Sequence, residues 1–302
     1  MRTSGYLYYR PPFPEFNVAQ EAAVPFLDKD VNLVVSFATA VGKTVLAECC
    51  FGYHLSTDDL CRVAYVCPFR SLGSEKYDDW TQNSQLSQHG VVLITGDTSP
   101  TAEDYESSRI AILTSESFDS KARSKAWISW IKSFDCVVFD EAHLLGDTNR
   151  GGSVESSLMR MSKINPGARI VLLSATLGNA VEVARWVKSL NGKETKCVES
   201  TWRPTRIDVD YCVVADSKEK VDETVRLAVE SSNMKTVVFV HSKHTGRELV
   251  RRLRSKKVKC AFHNASVSLM NRRKIEAAFN KRMSGLNVLI STSTLGAGVN
   301  IG

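Results

Sequence analysis

Nine short apolar runs punctuate this chain: "VNLVVSF", "RVAYVC", "GVVLIT", "IAILTS", "CVVFDE", "RIVLLS", "KTVVFVHS", "KCAFHN" and "NVLIST". Continuous Val/Ile/Leu runs suit strands buried on both faces. Amphipathic segments such as "KTVLAECCFGYHL", "AVEVARWVKSL" and "HTGRELVRRLR" lie between them. Strand followed by helix, repeated along a chain, leaves few folds open. The strands run parallel and the helices cover the faces of the sheet. The class expected is α/β.

One break stands out. In "CVESTWRPTRIDVD", Trp202-Arg203-Pro204 ends any helix, because the residue before a proline is pushed to extended geometry. Charge changes at the same place. From Ile207 onward the chain carries 17 Lys/Arg against 9 Asp/Glu, a net +8 within a total of +6, which leaves the first part near −2. We expect one domain over residues 1–200, a linker over 201–206 and a second domain over 207–302. A basic second half suits a polyanion partner. A solvated helix face explains such charge equally well, and "RELVRRLRSKKVK" is read that way.

Several classes drop out. No apolar run approaches the roughly 18 residues that cross a bilayer. The N-terminus "MRTSGYLYYRPPFPEF" has no signal-peptide core. The protein is therefore expected inside the cell, with no membrane partner. Its eight cysteines form no C-x-x-C pair and several sit in apolar runs, so they read as buried thiols rather than metal ligands. His241 and His244 lack partner ligands. Trp127 and Trp130 read as core or helix packing before base-stacking platforms.

Two motifs carry chemistry. "VNLVVSFATAVGKTVLAE" is a strand, a loop and a helix, and Gly42-Lys43-Thr44 matches the end of the P-loop pattern. Backbone N–H groups of Thr39, Ala40, Val41 and Gly42 and of the helix start can wrap phosphate oxygens. Lys43 reaches the outer phosphates and the Thr44 hydroxyl can bind Mg²⁺. Phe37 stands where the pattern has its first glycine. The second motif, "FDCVVFDEAHLL", sets Asp140 and Glu141 at the tip of an apolar strand. Burying charge is costly, so adjacent acids there point to function. One can hold Mg²⁺ and the other can take a proton from attacking water. Together the motifs describe a nucleoside triphosphatase.

Asp140-Glu141-Ala142-His143 is a D-E-A-H box, and the motifs around it fall in helicase order. "FNVAQ", "SFATAVGKT", "YVCPFRSLGSEKYDDW", "TGD" and "LTSESFDS" precede it. "RGGSVE", "LLSATLGNAVEVARWV", "TWRP", "VVFVHSK", "FHNASVSLMNRRKIEAAF" and "STSTLGAGVNIG" follow. The chain resembles superfamily-two helicases of the Ski-like branch, most of all its archaeal-type DNA-repair members. In that branch the first loop position is often not glycine, so Phe37 fits. Asn264 and Ser266 depart from the branch's usual "FHHAG".

The resemblance implies two RecA-like domains, the second incomplete. It implies that Gln20 reads adenine, that Lys43 and Thr44 hold the phosphates and Mg²⁺ of ATP, that Asp140 holds Mg²⁺ and that Glu141 activates water. His143, Ser174 and Thr176 would couple the nucleotide to domain movement, and Gly298 would approach it from the second domain. Candidates for nucleic acid are Pro68, Arg70, Ser71, Thr114, Glu116, Ser242, Lys243, His263, Thr292 and Thr294. Helix capping is the plainer role for the hydroxyls among them. The partner implied is single-stranded or forked nucleic acid, DNA before RNA, bound by a monomer.

Family members carry a further motif beyond "STSTLGAGVNIG", with arginines that reach the γ-phosphate. The chain therefore reads as a fragment with weak turnover. The alternative reading is a nucleic-acid-binding module that holds ATP without productive hydrolysis. A metabolic P-loop kinase would not explain Ser174-Ala175-Thr176 or the second domain.

Overall fold

The computed structural model describes residues 2–281, 284–292 and 295. The chain divides into two units, Met1–Arg206 and Ile207–Gly302. In the first, seven strands form one sheet: β1 (Asn32–Phe37), β2 (Arg62–Cys67), β3 (Val91–Ile94), β4 (Ile110–Thr114), β5 (Phe134–Phe139), β6 (Arg169–Ser174) and β7 (Thr195–Ser200). Their order is β3-β4-β2-β5-β6-β1-β7 and every pairing is parallel.

Alternation along these strands divides their side chains between two cores. Leu33, Val35 and Phe37 of β1 join Tyr65, Cys136 and Val138 on one face, against Leu46, Phe51 and Trp80 of the covering helices. Val34 joins Val66, Val137, Phe139 and Leu172 on the other, against Phe118, Leu158 and Val187. Six of the first unit's strands coincide with the apolar runs. The seventh, β7, has only Val198 buried and so shows no run in the sequence.

Two devices fix the elements that matter for the site. Arg169 is fully buried in β6 and donates to the backbone carbonyls of Val31, Leu27 and Phe26, closing the end of the helix Val18–Leu27. The helix Lys43–Thr57 is gripped at Glu48 and Cys49. Tyr9 and Trp80 donate to the Glu48 carboxylate, and Tyr6 donates to the Cys49 carbonyl.

In the second unit β8 (Thr236–Phe239), β9 (Cys260–His263) and β10 (Val288–Ser291) form a parallel sheet of order β8-β10-β9. Helices Ser217–Glu230 and Lys243–Ser255 pack on Val288 and Ile290 through Val225, Leu249 and Leu253. Arg252, in the segment read as a solvated face, pairs with Asp222 and Glu248. Six cysteines are buried, Cys197 is half-buried and Cys212 is exposed.

Candidate nucleotide site and nucleic-acid cleft

Ligands of open parallel sheets bind at the carboxyl ends of the strands. Three neighbouring strand ends, β5, β6 and β1, carry the first group of predicted residues. The loop after β1 exposes Thr39 and Ala40 and buries Val41. It turns through left-handed backbone at Ala40 (φ 62°) and Gly42 (φ 83°). Gly42 is required twice over: its φ suits glycine, and a Cβ would stand 2.7 Å from Gln20 Nε2. No side chain caps the helix Lys43–Thr57, so its first N–H groups face the loop as anion donors.

The loop is held from behind. Asn17 Nδ2 donates to the Val41 carbonyl (3.0 Å) and Gln20 Nε2 to that of Gly42 (3.1 Å). Asn17 and Gln20 also form a capping box on the helix Val18–Leu27. Gln20 is therefore buried, with both ends of its amide engaged. Here it braces the phosphate loop, a job its sequence position did not suggest.

Lys43 folds over the loop, with Nζ 3.2 Å from the Ala38 carbonyl. Burial lowers its pKa, while Glu141 and Asp140 pull the other way, so the ammonium and both acids share one field. Asp140 is buried at the end of β5. It accepts hydrogen bonds from the Tyr65 hydroxyl and the Glu141 N–H. Burial raises its pKa against these partners. Glu141 adopts left-handed backbone (φ 53°), and its pKa is raised by burial and then by Asp140. His143 Nδ1 lies 3.3 Å from Glu141 Oε2, and burial lowers the ring's pKa. Ser174, fully buried at the end of β6 between β5 and β1, has a hydroxyl without a hydrogen-bond partner. Thr176 is exposed just beyond.

A carboxylate, the half-buried hydroxyl of Thr44, an ammonium and an uncapped helix start together suit a triphosphate with Mg²⁺. No group of three or more His, Cys, Asp or Glu able to hold a metal occurs among the described residues.

The next strand ends along the same edge, β2, β4 and β3, border a cleft of about 920 Å³. Pro68, Arg70, Ser71, Thr114 and Glu116 all line it. Arg70 pairs with Asp97 at 2.6 Å. Thr114 is buried and accepts from the Ser117 N–H, capping the helix Ser115–Ala122. Sequence reasoning missed Arg150, Tyr105, Lys121 and Trp127, which also line the cleft. Arg150 donates to the Pro68 carbonyl at 2.6 Å, lies over the Phe69 ring and stands 3.8 Å from Glu116. No periodicity brings these residues together; only the fold does.

In the second unit, Ser242 caps the helix Lys243–Ser255, and Lys243 donates to Ser266. His263 is buried and its Nε2 meets Glu276 at 2.8 Å, a contact that ties β9 to the helix Leu269–Asn280. The Thr292 N–H donates to the His263 carbonyl. Thr294 and Gly298 lie outside the described residues.

Comparison with known proteins accords with this arrangement. An ATP-dependent DNA helicase Hel308 of Methanococcus vannielii is 28% identical over 347 aligned residues, taking in 95% of this chain and 44% of that protein. The DUF1998 helicase MrfA, in a crystal structure with DNA and AMPPNP, superposes with a TM-score of 0.77 at 20% identity, over 96% of this chain and 43% of that one. The helicase Lhr of Mycobacterium smegmatis, bound to ssDNA and AMP-PNP, gives 0.67 at 24% identity, over 94% and 40%. This chain thus spans less than half the length of each. The helicase conserved C-terminal domain matches residues 219–302. The DEAD/DEAH box helicase domain matches residues 17–183, more than half of the sequence and both chemical motifs, and the chain belongs to that family.

Proposed function

We propose that this chain is the ATP-hydrolysing core of a helicase that moves along single-stranded DNA. The observation that carries the reading is the common field of Lys43, Asp140 and Glu141 at neighbouring strand ends, next to a cleft lined by arginines and hydroxyls. ATP is the substrate. Lys43 and the first turn of its helix hold the phosphates. Thr44 and Asp140 hold Mg²⁺, which when bound neutralises charge on the phosphate oxygens. Glu141 takes the proton of the attacking water, a role its raised pKa suits. His143 fixes the Glu141 carboxylate. Ser174 and Thr176, at the end of the strand between the two motifs, pass the nucleotide's state onward.

The cleft residues Pro68, Arg70, Ser71, Thr114 and Glu116 border the strand's path, and hydroxyls and amides there position phosphates without reading bases. Ser242, Lys243 and Thr292 are the corresponding residues of the second unit. DNA is favoured because the curated relative is named a DNA helicase.

The test is ATP hydrolysis with matched single-stranded DNA and RNA. Stimulation, stronger with DNA, is expected. ATP binding without stimulated turnover would favour the holding module instead. No stimulation and no nucleotide binding would overturn both readings.

A further inference from the structure

The cleft of the first unit ends in a run of rings that leads into the core. Tyr105 and Trp127 have centroids 4.7 Å apart, Trp127 and Trp130 5.8 Å, and Trp130 and Phe134 4.7 Å. Phe134 belongs to the hydrophobic core, and Trp130 and Tyr105 are partly buried against it. Trp127 is half-buried and lines the cleft. Tyr105 stands tilted to it by 53° and Trp130 meets it edge-on at 79°, so neither ring lies parallel to the indole. Lys121 lies over that ring, its Nζ 3.4 Å from the centroid and 4.9 Å from that of Tyr105. No ion pair to a described carboxylate satisfies this ammonium, and no coulombic partner offsets its burial. The sequence favours packing over base stacking for both tryptophans. In the structure Trp130 packs against the core, while Trp127 lines the cleft wall with Lys121 over its ring.

We propose that Trp127, flanked by Tyr105, is a stacking platform for one base of a single strand lying in the cleft, and that Lys121 swings from the ring to the adjacent phosphate when the base arrives. The proposal deepens the function given above and rests on it, since it requires the strand to occupy this cleft. Two magnitudes favour the exchange. A partly exposed cation–π contact is worth about 2- to 5-fold in an equilibrium, whereas base–aromatic stacking is worth about 5- to 150-fold. The displaced ammonium gains a phosphate in return. Because every base has a π-face, the platform would hold the strand without reading sequence.

Binding of fluorescent single-stranded oligonucleotides would be compared for the unsubstituted chain and for Trp127→Leu, Trp127→Phe and Arg70→Ala. Each oligonucleotide would be made with all its bases and again with abasic sites. We expect Trp127→Leu to weaken binding of the base-bearing strand by about 10-fold, Trp127→Phe to restore part of the loss, and neither to change binding of the abasic strand. Equal binding of the base-bearing strand by Trp127→Leu and the unsubstituted chain, with Arg70→Ala weakening both strands, would overturn the platform and leave the cleft as a backbone site. Failure of the unsubstituted chain to bind either strand would overturn the function itself, and the platform with it. Should Trp127→Leu not fold, the unsubstituted chain decides: equal affinity for base-bearing and abasic strands contradicts the platform.

Discussion

Glu141 holds a left-handed backbone although it carries a full side chain, a conformation that costs non-glycine residues about 1–2 kcal/mol. Such strain persists where surrounding structure imposes it, often at functional sites. It accompanies a second cost, two carboxylates whose pKa values burial has raised. We expect Glu141→Gln to lower ATP turnover by about 10²- to 10⁴-fold while nucleotide affinity is kept, as measured by phosphate release and by nucleotide titration. The raised pKa values also fix two pH effects. A carboxyl whose folded pKa is raised favours the protonated state on folding. The ligand-free protein therefore loses stability as pH rises from the ordinary carboxylate range through the raised values. Mg²⁺-nucleotide offsets that charge, so its thermal shift should be larger at pH 8 than at pH 5. Turnover should rise with pH through an acid limb placed above the ordinary glutamate value, and a limb at the ordinary value would contradict the assignment of Glu141 as base. At this scale Lys43, Asp140 and Glu141 were legible because their chemistry is local to a strand and its following turn. The contacts of Gln20 with the Gly42 carbonyl and of Trp127 with Tyr105 were not legible, because they join residues more than 20 positions apart in sequence.

Among the described residues, nine of the ten strands announce themselves as apolar runs, and β1, β4, β6 and β10 are buried at every position. β7 escapes that rule: it lies at the sheet edge, with Lys196 and Glu199 among its six residues. The sheet leans on buried polar contacts as well as on its apolar faces. Arg169→Met should destabilise the first unit by about 3 kcal/mol or more, since three carbonyls lose their donor; chemical denaturation would measure it. In the second unit, Glu276→Ala should cost about 1–3 kcal/mol by removing the carboxylate that meets the buried His263 Nε2. Hydrogen exchange would show the loss as faster exchange across the helix Leu269–Asn280. Unchanged exchange there would leave His263 available for another role. The sequence marked His263 by its motif alone, and burial was invisible without the packing of that helix.

At the largest scale, the carboxyl edge of the first unit's sheet carries both candidate sites in order. The cleft lies at β3, β4 and β2, and the nucleotide residues lie at β5, β6 and β1. Tyr65 of β2 donates to Asp140, and Arg150, which follows the D-E-A-H box, donates to Pro68 in the cleft. These two bonds tie the D-E-A-H segment to β2 and to the loop that follows it. The family and the α/β class were legible from the order of motifs. The adjacency of the two sites was not, because strand order in the sheet differs from strand order in the chain. The most direct test of the account is the rate of phosphate release with and without single-stranded DNA, for the unsubstituted chain and for Glu141→Gln. The account predicts a faster rate with DNA in the first and near-zero rates in the second under both conditions. Equal rates with and without DNA in the unsubstituted chain, at concentrations where DNA is bound, would contradict it.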